Sequence, residues 1–326
     1  MADGGVDNNI IFVYLGGEQE VPFDEITHAI IDPSVNIVRR RAFIFRQQLV
    51  FVLFHDGVEI IEAEAFFCCE SLSGIKLLDV REIGDRAFHS CPLSDVEFGD
   101  RLETVGIQAF SGSSLRSVKM PTVRSVEKWA FSHCKQLTEA EFDNNLESIG
   151  IGSFYNCPRL ERIAIPLKDN LFPSDNDGEE YNQFDQCGNL TTVDIVGDER
   201  LHKTISSLLM ESWRVGMNEE LHRINRELPI APADEKTDVI QQWIRTIIHK
   251  MEYYKAQHNR LLKEHMTQLE LAIWKTKLDE KEDRSIEEGR AKKAKIDTAS
   301  ARNEQRVMSG ADIVIRNVVP FLQLDE

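Results

Sequence analysis

Six cysteines and nine histidines hold most of the reactive potential of this 326-residue sequence. Thiolates can attack, bridge or bind metal, and imidazoles can move protons or act as ligands. Five of the thiols, Cys69, Cys91, Cys134, Cys157 and Cys187, each follow a phenylalanine by three residues, and only Cys68 lies outside that register. No C-x-x-C or H-E-x-x-H occurs, and one thiol per chain turn does not gather four ligands around an ion. Evenly spaced cysteines also suit disulfides. Packing of small buried side chains is favoured over both, and reduced thiols imply a reducing compartment. His28, His89 and His133 have no Ser or Cys at catalytic spacing. His258 and His265, seven residues apart on one helical face with His249 upstream, suit a helix boundary better than a metal site. The acid-rich stretch 173–184 places Pro173 and Phe184 where an EF-hand needs carboxylates, so it is read as a solvated loop. Gly150-Ile151-Gly152 lacks the rest of a nucleotide fingerprint, and there is no P-loop, nucleophile elbow or kinase signature. The sequence is read as non-enzymatic, with no cofactor and no metal; an enzyme with an unrecognised site between solenoid and helices is the lesser alternative.

The phenylalanines that precede those thiols reveal the scaffold. Phe43, Phe66, Phe88, Phe110, Phe131, Phe154 and Phe184 are separated by 23, 22, 22, 21, 23 and 30 residues. A period of 20–29 residues with a Leu-x-x-aliphatic-x-aliphatic strand describes a leucine-rich-repeat solenoid, an α/β repeat class. Strands are expected to begin at Ile26, Leu49, Leu72, Leu93, Leu115, Leu137, Leu160 and Leu190, pairing into one curved parallel sheet. A second aliphatic pair follows most of them, such as Val58/Ile61 and Leu146/Ile149. Five residues later comes the repeat Phe, expected to fill its layer. Gly84, Gly106 and Gly150 recur after the second pair, where a sharp turn is expected. Residues 168–183 form the one insertion.

The phrase Ile83-Gly84-Asp85-Arg86-Ala87-Phe88-His89-Ser90-Cys91 resembles the Treponema-type (bacterial-surface-antigen-like) leucine-rich repeat. The resemblance covers residues 26–197. Arg46 and Ser113 replace Cys, Ser153 replaces Ala, and one residue is missing before Leu93 and before Leu115. Many proteins of microbial eukaryotes, diatoms among them, look like this chain, with such repeats followed by a charged helical tail. The resemblance implies an interaction scaffold and no reaction.

The formal charge of −17 is uneven. Residues 1–198 hold 16 Lys and Arg against 33 Asp and Glu, whereas 199–326 hold 22 of each. Such a solenoid repels nucleic acid and anionic lipid, so neither is expected as a partner. The expected domains are an N-terminal cap at 1–25, with a β-rich run from Ile10, the solenoid at 26–198, a helical hairpin at 199–282, and a charged linker with a short apolar terminal helix at 283–326. The hairpin follows from i+3/i+4 stripes on either side of Pro229 and Pro232, and self-association through this tail is the alternative use of it. The first apolar run is too short for a signal core or a membrane span, which points to an intracellular, cytoplasmic protein. Arg290, Lys292, Lys293 and Lys295 are weak support for nuclear import.

Alternation turns the third and fifth residues of each strand away from the core, onto the concave face of such solenoids. That face reads His28/Ile30, Phe51/Leu53, Gly74/Lys76, Asp95/Glu97, Ser117/Lys119, Glu139/Glu141, Arg162/Ala164 and Thr192/Asp194. Ile30, Phe51 and Leu53 form an apolar patch, and Lys76, Asp95, Glu97, Lys119, Glu139, Glu141 and Arg162 form a net acidic strip. A protein partner is expected to bind there; cover by the cap or the tail is the competing fate of Phe51.

Overall fold

The computed structural model describes residues 10–17, 21, 25–173, 181–196, 198–208 and 210–291. The described parts of 1–202 and 215–249 form one compact unit, and those of 203–214 and 250–326 another. The acidic core of the insertion, 174–180, and the terminal segment from 292, with most of the basic cluster, lie outside the described residues.

The first unit is a right succession of short parallel strands: β1 (Ile11–Tyr14), β2 (His28–Ile31), β3 (Ile37–Val38), β4 (Phe51–Leu53), β5 (Ile60–Ile61), β6 (Gly74–Leu77), β7 (Glu82–Ile83), β8 (Asp95–Phe98), β9 (Thr104–Val105), β10 (Ser117–Met120), β11 (Ser125–Val126), β12 (Glu139–Phe142), β13 (Ser148–Ile149), β14 (Arg162–Pro166) and β15 (Thr192–Val196). All eight expected strands form, and β1 joins them as a ninth by pairing in parallel with β2. Ladder pairing runs through β1-β2-β4-β6-β8 and resumes through β10-β12-β14-β15. Between β8 and β10, at the shortened connector, a bond from the Ser114 amide to the Leu93 carbonyl (3.0 Å) spans the lapse. The second aliphatic pairs build their own six-stranded ladder, β3 to β13.

Between these ladders the seven repeat phenylalanines are fully buried and stack ring on ring. Successive centroids lie 4.9 to 5.6 Å apart with planes within 17°. Residues two before and two after each of the first six Phe adopt left-handed backbone, as in Arg41 and Phe45, Glu64 and Cys68, Arg86 and Ser90, and Trp129 and His133; at Phe184 only Gln186 does. L-residues resist that conformation, so something must hold them. Amide-to-carbonyl bonds between turns do so: Phe43 to Ala65 (2.7 Å), Phe66 to Ala87 (2.8 Å) and Phe110 to Ala130 (2.8 Å).

Gly84, Gly106 and Gly150 have a different reason from the sharp turn expected of them. None has a positive φ. A Cβ at these positions would lie 2.6 to 2.7 Å from the backbone nitrogens of Ala63, Asp85 and Lys128. The turns approach so closely there that a side chain does not fit, and the glycine amides bond to Ile61, Ile83 and Val126 at 2.7 to 2.8 Å.

Each end of the stack is closed by residues outside the repeat pattern. At the N-terminal end Tyr14 packs on Phe43 at 5.3 Å. Arg46, in a thiol position, donates instead to the carbonyls of Val21 (2.5 Å) and Ile44 (2.6 Å). Among the described residues four helices follow the strands, α1 (Asp198–Ser207), α2 (Glu211–Leu221), α3 (Ile224–Glu227) and α4 (Lys236–Ala291), and the stretch of them that belongs to this unit, Val215–His249, seals the C-terminal layer. A short 3-10 turn at Leu228–Ile230 and extended Ala231 before Pro232 separate α3 from α4, as proline dictates. The buried Lys236 ammonium donates to the Gly188 and Leu190 carbonyls at 3.0 and 2.5 Å, and burial pushes its pKa down. Asn225 accepts from the Val193 amide at 3.0 Å, and the Trp243 indole donates to the Glu220 carbonyl at 2.9 Å. Ile240, Ile244 and Ile247 complete the buried stripe of α4 in this unit. In the second unit Trp213 stacks on Tyr254 at 5.5 Å.

Two stability outcomes follow from the stack and its seal. Phe131→Ala empties one layer between Phe110 and Phe154 and should cost ~3–5 kcal/mol, read as a lowered urea midpoint. Thr237 accepts a bond from the Phe184 amide at 3.2 Å. Thr237→Val keeps the shape but strands that buried amide, at a cost of ~1–3 kcal/mol with faster hydrogen exchange at Phe184.

Candidate protein-binding face

Strand register places the outward side chains in two rows. One runs Ile11, His28, Phe51, Gly74, Asp95, and the other Val13, Ile30, Leu53, Lys76, Glu97. After the lapse the rows continue through Glu139 and Arg162, and through Lys119, Glu141 and Ala164, although Ala164, expected on the open face, is buried. Phe51 is 43% exposed and Leu53 49%; Ile11 and Val13 are exposed and Ile30 half-buried. Adjacent outward apolar residues on three strands make one patch, larger than a solvated sheet face ordinarily carries. Its β1 contribution escaped the sequence reading, which took the run from Ile10 as a cap. The alternation Ile11-Phe12-Val13-Tyr14 was the available signal.

The charged residues sit beyond that patch and largely pair across strands. Lys76 meets Glu97 at 2.8 Å, which raises the lysine pKa, and Lys119 meets Glu141 at 2.9 Å. Arg162 meets Asp194 at 2.6 Å and Glu139 at 3.7 Å. Such exposed pairs are worth ~0–1 kcal/mol each, so they neutralise the face more than they hold it together. Among the described residues Asp95 has no ion-pair partner. It lies level with Gly74 on the wall of a cleft of about 580 Å³ that Phe51, Leu53, Asp56, Leu78 and Glu97 also line.

The five repeat thiols sit elsewhere, in the core, whereas Cys68 is half-buried. Each repeat cysteine directs its Sγ to the carbonyl of the preceding turn's Phe: Cys69 to Phe43 (3.1 Å), Cys91 to Phe66 (2.9 Å), Cys134 to Phe110 (3.3 Å), Cys157 to Phe131 (3.1 Å) and Cys187 to Phe154 (3.0 Å). Ser113 keeps the ladder continuous by meeting Cys134 at 3.0 Å. Burial holds the Cys91 thiol well above its usual range, so it is protonated and a poor nucleophile. Of the histidines, His258 is buried, with its pKa pushed down by that burial, whereas His265 is exposed. Among the described residues no three His, Cys, Asp or Glu side chains group as a metal site, and no helix is long and apolar enough to cross a membrane.

Residues 23–82 and 81–200 match the BspA-type leucine-rich repeat region, in six copies. No curated protein matches the sequence. Among solved structures, a leucine-rich repeat protein from Bacteroides ovatus is 23% identical, with a TM-score of 0.36, over 53% of this chain and 61% of that one. This chain therefore spans under two thirds of that relative's length. The leucine-rich repeat protein of T. pallidum is 26% identical, with a TM-score of 0.38, over 50% of this chain and 77% of that one. With its repeats matched over more than half its length, the chain belongs to the BspA-type leucine-rich repeat family.

Proposed function

We propose that this protein is a non-catalytic interaction scaffold that binds a protein partner through the outward face of β1, β2, β4, β6 and β8. The observation that carries the reading is the exposed patch of Ile11, Val13, Phe51 and Leu53. Among the described residues of its own unit Phe51 stays 43% exposed, and β1, paired with β2, extends the patch. Aromatic and aliphatic groups that lose water on association supply binding free energy, while the paired charges at Lys76–Glu97 and Lys119–Glu141 form a polar rim. The repeats themselves support a scaffold, since stacked turns present a long surface without building a cavity for chemistry. The buried thiols suit a reducing compartment, and we read the protein as cytoplasmic. Repeats followed by a charged helical tail match the microbial-eukaryote proteins that the sequence resembles.

A second use belongs to the tail. Leu269, Leu271, Ile273, Trp274 and Leu278 are all exposed on α4, Trp274 at 64%. So many large apolar groups on one solvated helix favour self-association through it.

Proximity labelling by the full chain tests the face. Partners captured by the native protein should be lost, by about tenfold or more, with Phe51→Ala plus Leu53→Ala, and retained with Arg86→Ala, whose side chain meets Gln108 on the loop side of the solenoid. Equal capture by all three would remove this face from consideration. For the tail, sedimentation should show concentration-dependent dimers that dissociate on Trp274→Ala plus Leu278→Ala. A monomer at all concentrations would overturn that use.

A further inference from the structure

Phe51, Gly74 and Asp95 are directly aligned partners on three successive strands. Neighbouring strands lie ~4.8 Å apart, so the ring and the carboxylate face each other across a gap of about 10 Å floored by backbone. We propose that this cleft is a pocket for one arginine side chain of the partner, an inference that rests on the outward-face reading above.

Three features select that occupant. The cleft is lined by four carboxylates, Asp56, Asp79, Asp95 and Glu97, against one ammonium, Lys76. Asp79 is already paired with Arg101 at 3.3 Å, and Glu97 with Lys76 at 2.8 Å. Asp56 and Asp95 form no ion pair among the described residues, and the one ammonium, Lys76, is bonded to Glu97 and attracts Asp95 only at longer range, so the pocket keeps a net negative charge. The second feature is the wall. Phe51 and Leu53 offer apolar surface on one side only, so an apolar guest would leave Asp95 desolvated and unpaired, which is costly. A planar guanidinium satisfies both sides: one face stacks on the Phe51 ring while in-plane N–H groups donate to Asp95. Lysine, a compact and strongly hydrated point charge, does this less well. The third feature is space. Gly74 has no positive φ, and a Cβ there would make only ordinary contact with Asp95, 3.5 Å from its carbonyl oxygen. Gly74 is therefore dispensable for the strand, and its absent side chain opens the room.

Random peptides displayed on phage and selected on the full-length protein test the pocket. Arginine should be enriched at one position of the selected peptides. A synthetic selected peptide should bind about tenfold more weakly to Asp95→Asn, to Gly74→Val and to Phe51→Ala, and just as well to Glu141→Gln; replacing its arginine with citrulline should cost as much. Peptides without an arginine preference, no selected peptides at all, or binding indifferent to Asp95→Asn would overturn the pocket. Loss with Phe51→Ala alone would leave the docking face standing without it. Binding indifferent to Phe51→Ala as well would sink both.

Discussion

Everything in the solenoid depends on one column of stacked phenylalanines. Rings 4.9 to 5.6 Å apart and nearly parallel require each turn to advance by one strand spacing. Each ring must also enter the core from a loop, since the strands lie on other sides of the coil. The loop manages this with left-handed residues on either side of the Phe, most of them not glycine. Such residues cost roughly 1–2 kcal/mol each in isolation. They persist because alternate loop amides, those of the left-handed residues and of the Phe between them, bond to carbonyls one turn away, so strain at each turn is held by its neighbours.

A stack held together by neighbours has a difficulty at its ends, where a layer lacks one side. The two ends meet it by different chemistry. The first turn uses Tyr14 on the ring column and the Arg46 guanidinium where later turns have a thiol. An arginine reaches farther than a cysteine and satisfies carbonyls that no preceding turn can serve. The last turn faces helices, whose side chains must supply what a next strand would have given. Thr237, Asn225 and Lys236 provide one acceptor, one acceptor and a three-proton donor for that purpose. Polar satisfaction, with Ile240, Trp243 and Ile244 filling the apolar gaps, makes the helices part of the repeat unit.

How legible this was in the sequence follows from what repeats. The repeat Phe recurs seven times, the strand phrase eight times and the thiol register five times, so a single chain carried its own alignment. The end caps occur once each, and nothing in the letters of Arg46 or Lys236 says which carbonyls they meet. The glycines misled because glycine serves two needs, and only coordinates separate close approach at Gly84 from positive φ at Gly152. On the outer face, alternation located Phe51, Leu53, Asp95 and Glu97. It did not say that Lys76 and Lys119 are already engaged, because cross-strand pairing depends on register that is set by loop length.

Periodicity also says where to look for function. A layer that obeys the repeat is explained by the repeat, and its residues need no partner. The outer face departs from that rule in a confined region. Outward apolar groups occupy β1, β2 and β4, the next strand contributes a bare Gly74, and the next Asp95, a carboxylate with no ion pair among the described residues. From β10 onward the same rows carry charges that largely compensate one another. Stability does not call for this asymmetry, since exposed apolar rows and an unpaired Asp95 add nothing to a solvated sheet. The lapse in pairing after β8 falls at the border between the two regions. The uncompensated part of the face thus coincides with one continuous sheet, rigid enough to hold a ring, a gap and a carboxylate in line for a guest.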